Sequence, residues 1–142
     1  MTETIKTPYG TVELTIEPQL VTYKRKVGNV IAQGPFIRAL KRAERKFYVL
    51  TTPKWKRAPG RVRPIKITGV GYRSFEYQYA LWMSNKKRYA DPFKSLHVKG
   101  LAIVVNQNID DLDKAEKALR SVGFKDGAAF GDPPHWSYPI AG

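Results

Sequence analysis

Residues 53–64 read Pro-Lys-Trp-Lys-Arg-Ala-Pro-Gly-Arg-Val-Arg-Pro. Lys54, Trp55, Lys56, Arg57, Arg61 and Arg63 set five cations around one indole. Arginine forks onto phosphate or stacks on a base, and tryptophan offers a flat stacking face. Three prolines and a glycine make an exposed loop and limit the entropy lost when a partner orders it. A second cationic set, Arg38, Lys41, Arg42, Arg45 and Lys46, shares one face of a helix expected just upstream. This is binding chemistry for an acidic partner. If six to eight of these charges met phosphates, the salt slope of duplex binding would be about −5 to −7.

Catalytic chemistry finds less material. His97 and His135 are the only histidines and stand at no metal-ligand spacing. His135 has Asp132 and Ser137 nearby, but a triad is a spatial arrangement and this segment reads as irregular. Asp110, Asp111 and Asp113 have the chemistry to hold magnesium in a nuclease, yet acids at a helix start ordinarily serve its dipole. Gly69-Val70-Gly71 lacks the third glycine of a dinucleotide fingerprint and the Gly-Lys-Ser/Thr ending of a phosphate loop. No catalytic residue, metal or cofactor is assigned.

The elements that must carry these residues follow from periodicity. Thr11 to Glu17 alternates as a half-buried strand, and Leu20 to Val27 reads as its hairpin partner. Gly28-Asn29 marks a turn. Gly34-Pro35 opens a helix, with Phe36, Ile37, Leu40, Ala43 and Phe47 facing the core. Strands are expected at 48–52, 65–68, 73–83 and 100–105, the 73–83 strand carrying aromatics on both faces. A helix spans about Asp110 to Val122, its stripe made by Ile109, Leu112, Ala115, Leu119 and Val122, and Gly123 stops it. Phe124 begins another short strand. The fold class is α+β, a mostly antiparallel sheet with about two helices. Residues 1–126 form one domain and 127–142 an irregular Gly/Pro-rich tail.

Composition bounds the function further. The chain has 142 residues, six Phe, eight Tyr, three Trp and no cysteine, so disulfides and thiolate chemistry are excluded. Residues 1–9 are polar, unlike a signal peptide, and no apolar run reaches membrane-spanning length, so a cytoplasmic protein without membrane contact is expected. Fourteen Lys or Arg and one acid, Glu44, lie between Lys24 and Lys66, so this stretch carries the entire net charge of +13. Such crowding costs stability by self-repulsion unless a polyanion compensates it. Lys99 to Val105 partly matches an RNA-recognition-motif strand, but Leu101 and Ile103 stand where stacking aromatics belong, so it reads as core.

In size, lack of cysteine, missing catalytic apparatus and the one-sided segment Lys24 to Lys66, the chain resembles the small bacteriophage-encoded modulators of bacterial RNA polymerase. The resemblance implies docking on the polymerase or its sigma factor, in a host cytoplasm, near the emerging RNA. It rests on no motif, so no binding residue is carried over. The expected function is non-enzymatic regulation of a nucleic-acid-handling machine, transcription first. The alternatives are a sequence-tolerant RNA- or DNA-binding protein, a structural component of a virion or ribonucleoprotein particle, or a magnesium nuclease.

Overall fold

The computed structural model of the chain describes residues 2–8, 10–15, 19–128 and 131–139. Strands β1 (Thr2–Thr7) and β2 (Gly10–Thr15) form an antiparallel hairpin with Ile5 opposite Val12. Ile16 and Glu17, which the alternation also assigns to this strand, lie outside the described residues. Strand β3 (Leu20–Tyr23) pairs with β4 (Val30–Gln33), not with β2 as expected. The turn decides the pairing. Gly28 adopts φ 118, and its N–H and C=O both bond Arg25, which folds the chain straight back.

Helix α1 (Gly34–Thr51) starts on Pro35 and buries Phe36, Ile37, Leu40, Ala43 and Phe47, as their spacing requires. Residues 48–51, expected as strand, continue it. Leu50 packs on the core and the Thr51 hydroxyl donates to the Phe47 carbonyl at 2.8 Å, so the last turn has tertiary and local support. Pro53 ends it by holding Thr52 extended, at φ −119 and ψ 125.

Strand β5 (Ile67–Thr68) pairs with β6 (Ala102–Val105). Just beyond β5 the backbone at 70–72 runs parallel to β4, with Ile31 N–H donating to Val70 O and Tyr72 N–H to Ile31 O. Gly71 makes this possible at φ 94, because a Cβ there would press at 3.2 Å on the carbonyls of Ala102 and Ile31.

Residues 75–84 overturn an expected strand and form α2 (Phe75–Ser84), so there are three helices among the described residues. The Ser74 hydroxyl accepts from the Tyr77 N–H at 3.1 Å, an N-cap that the aromatic alternation hides. Apolar residues occupy every face of this segment, so a period of two never distinguished strand from helix.

Helix α3 (Leu112–Val122) lies where expected, buries Ala115, Ala118 and Leu119, and ends at Gly123 with φ 107. Strand β7 (Lys125–Gly127) follows. The expected C-terminal tail is instead β8 (Asp132–Ser137), which lies between β6 and β7 in a sheet of order β5-β6-β8-β7. Its two prolines mislead. Pro133 and Pro134 fall where the β7–β8 register shifts, so their missing N–H groups leave no ladder bond unmade. Residues 129–130 and 140–142 of the expected tail lie outside the described residues. Helices α1 and α3 pack together over Ile103, Val105 and the fully buried Trp136, with Phe36 edge-on to Phe124 at 5.2 Å. The fold is α+β with antiparallel sheets.

Candidate functional site

The basic residues divide into those the fold consumes and those it displays. Arg25 is buried against Glu44, with Nη1 2.6 Å from Oε2, and Arg63 pairs with Asp111 at 2.8 Å while lying over the Phe47 ring. Arg57 stays exposed but folds back on α1, donating to the Val49 and Thr52 carbonyls at 3.0 Å and closing the helix's C-terminal end. Arg45 donates to the carbonyls of Ala58 and Arg61, while the Ala58 N–H donates to the Tyr48 hydroxyl. Arg57 and Arg63, expected in the binding loop, and Arg45, expected on the binding face, are therefore the fasteners of that loop.

Fastening brings the two expected cationic sets together. The loop is bonded to Arg45, Tyr48 and Val49 in the C-terminal half of α1. The same helix displays Lys41, which lies over the Tyr23 ring, Arg42, which reaches the Tyr138 hydroxyl at 3.4 Å, and Lys46. Lys54 and Lys56 are the end residues of a short 3-10 turn that leaves Trp55 81% exposed, and Arg61 is exposed as well. Arg38 continues the row toward the helix N-terminus. Among the described residues only Arg25 and Arg63 of the fourteen cations between Lys24 and Lys66 meet a carboxylate. The core strand read from Lys99 to Val105 is core indeed, with Ala102, Ile103 and Val105 buried.

A second site was hidden from the sequence. His97 and His135, far apart in the chain, meet edge to face with ring centroids 5.0 Å apart. His97 precedes β6 and its Nδ1–H donates to Gly71 O at 2.8 Å; His135 stands on β8 opposite Val104. Beside them a cleft of about 510 Å³ is lined by Gly69 to Ser74, Tyr77 and His97. Arg73 enters this cleft with no carboxylate paired to its guanidinium among the described residues. Gln78, the one buried side chain of α2, accepts from Arg73 at 3.2 Å and donates to Ala90 O at 2.8 Å. Glycines 69 and 71 were the only sequence signal, a mark of close backbone approach. The Asp110, Asp111 and Asp113 group lies elsewhere, and Asp111 is engaged by Arg63, which holds its carboxyl below the ordinary range. Among the described residues no three His, Asp or Glu side chains gather as a metal site.

Burial first, and the Arg73 charge second, push the His97 imidazole down from 6.5 to about 4. Burial likewise lowers His135, partly opposed by Asp132. An unfolded chain takes up a proton at His97 as pH falls through 6.5, whereas the folded chain refuses it until about 4. The unfolded state therefore binds more protons in that window, and stability falls as pH drops across it. The loss expected from His97 alone is on the order of 3 kcal/mol. Urea unfolding at pH 7 and pH 4.5 tests this, with the His97→Gln protein expected to show a much flatter dependence.

No family model matches the chain, and no curated protein matches it either. Among the described residues no helix is long and apolar enough to cross a membrane. The two sites must therefore be judged on their own chemistry.

Proposed function

We propose that this is a non-enzymatic basic binding protein that regulates a nucleic-acid-handling machine in the cytoplasm, presenting the α1–loop face to a polyanion. The observation that carries the reading is the fastening by Arg45, which holds residues 58–61 of the basic loop against the same helix that displays Arg38, Lys41, Arg42 and Lys46. A surface of this kind gains affinity by releasing the counterions of its partner. The resemblance drawn from the sequence names transcription as the machine, with docking on RNA polymerase or its sigma factor near nucleic acid. Direct, sequence-tolerant binding of RNA or DNA uses the same face. A pull-down from bacterial lysate, titrated with salt and run with and without nuclease, tests the proposal. Recovery of polymerase that survives nuclease supports docking, and recovery of nucleic acid alone supports the direct mode. Recovery of neither removes both.

A second reading is favoured by Arg73. A half-buried guanidinium with no carboxylate in direct contact among the described residues, and only the through-space field of Asp132, costs stability that a bound anion would restore. The cleft beside it has the size of a small-molecule site, and His97 lines it with His135 packed edge-on behind the His97 ring. This supports binding of a small carboxylate- or phosphate-bearing ligand. Titration with inorganic phosphate and with acetate should move both histidine signals in the NMR spectrum of the wild type. Arg73→Gln should abolish the movement, and signals that stay fixed in the wild type would end this reading.

A further inference from the structure

We propose that Trp55 is a stacking platform for an unpaired base, so that the polyanion taken by the α1–loop face is a single-stranded nucleic acid. The inference rests on the polyanion reading above and names its ligand class.

Trp55 is the most exposed large apolar side chain among the described residues, at 81%. Burying an indole is among the more favourable events open to a folding chain, so a ring left out needs a cause. Here the cause is the loop. The Lys56 N–H donates to Pro53 O at 2.9 Å, and the Arg57 guanidinium pins the next turn to the end of α1. Tyr48 and Arg45 hold Ala58 from either side. These bonds hold the backbone on either side of Trp55, so the residue projects from a fixed turn. Its display is built in, and a ligand meets it with little ordering left to do.

The ring's surroundings choose among partners. Its neighbours Lys54 and Lys56 are cationic and exposed, Lys56 Nζ stands 5.0 Å from the ring centroid, and residues 53–64 contain no acid. A tryptophan that anchors a protein interface sits in a dry apolar patch shielded from water. Trp55 has no such patch, because its loop neighbours are charged. In a duplex the base faces are covered by their neighbours, which leaves the indole idle. Only a single strand offers phosphates to the cations and a free base face to the ring together.

The test measures affinity for short oligo-U and oligo-dT, the matching duplexes, poly-glutamate and heparin, by anisotropy or competition at fixed salt. Trp55→Ala is expected to weaken both single strands by about 5- to 150-fold, the range of one stacked base, and to leave heparin binding unchanged. Trp55→Phe should recover part of the loss. A preference for one strand assigns RNA or DNA as its source. Equal weakening of poly-glutamate and oligonucleotide by Trp55→Ala would overturn the inference in favour of an acidic protein. So would wild-type binding of duplex as tight as of single strands, or a Trp55→Ala protein that binds single strands like the wild type. In those cases heparin binding still upholds the polyanion face. Failure of the wild type to bind heparin or any oligonucleotide would remove that face itself.

Discussion

Replacing Glu44 by alanine is expected to cost about 3–5 kcal/mol of unfolding free energy, the range for breaking a buried ion pair from one side. Glu44 is fully buried in α1, and each of its carboxylate oxygens is used. Oε1 accepts from the Tyr23 hydroxyl at 2.6 Å, and Oε2 accepts from Arg25 at 2.6 Å and from the Ile65 N–H at 2.8 Å. Alanine leaves a buried guanidinium without its counter-charge, and Arg25 Nη2 already lacks a partner. The Tyr23 hydroxyl and the Ile65 N–H lose theirs as well. Equilibrium unfolding in urea measures the loss. Glu44→Gln keeps the volume and some hydrogen bonding and should fall between alanine and wild type. Removing both charges, as Glu44→Leu with Arg25→Met, should cost less than Glu44→Ala alone, because no buried charge is stranded. A double variant worse than the single one would show that the pair itself is the source of stability. Tyr23 belongs to the same cluster. Burial first, then Glu44, holds its hydroxyl above the ordinary value of 10, so stability should also fall as pH rises past 10 and the unfolded chain ionises first.

The cluster matters beyond stability, since the Glu44 carbonyl also accepts from the Arg63 N–H at 3.0 Å. It ties β3 and the far end of the basic loop to the same turn of α1. None of this is legible in the sequence, where Glu44 is one acid among fourteen cations. What is legible is local. The apolar stripe of α1 from Phe36 to Phe47, the loop of prolines, the β6 run and the stripe of α3 each declare themselves within a few residues. What is hidden depends on contacts across the chain. Aromatics around the whole of Phe75 to Met83 satisfied a strand pattern, and only the Ser74 cap marked a helix. Asp132-Pro-Pro-His-Trp read as a tail because strand interiors disfavour proline, until the register shift against β7 freed those two positions. The histidine pair disappeared with it, since His135 reaches His97 only once β8 lies beside β6.

Neutralising Lys41, Arg42, Lys46, Lys54, Lys56 and Arg61 to glutamine together should make polyanion binding nearly insensitive to salt. Each phosphate contact with a single strand contributes about 0.7 to the slope of log affinity against log salt, so six lost contacts remove about 4. Between 50 and 200 mM salt, a protein making six such contacts loses about 300-fold in affinity, and the variant should lose only a few-fold. The choice of residues follows from the structure: Arg45, Arg57 and Arg63 are left alone, because they bond backbone carbonyls or Asp111 and hold the loop in place. The variant should fold about as stably as the wild type, since the relief of like-charge repulsion offsets the loss of the exposed Arg42–Tyr138 bond and the Lys41–Tyr23 contact. Neutralising Lys86, Lys87, Arg88 and Lys94, exposed cations beyond α2, provides the control. It lowers net charge without touching the face and should leave most of the slope intact. If the two variants lose binding in proportion to the charge removed, the protein's overall charge and not the arrangement made by Arg45 attracts the partner. A slope that survives the six substitutions would place the contact elsewhere on the molecule.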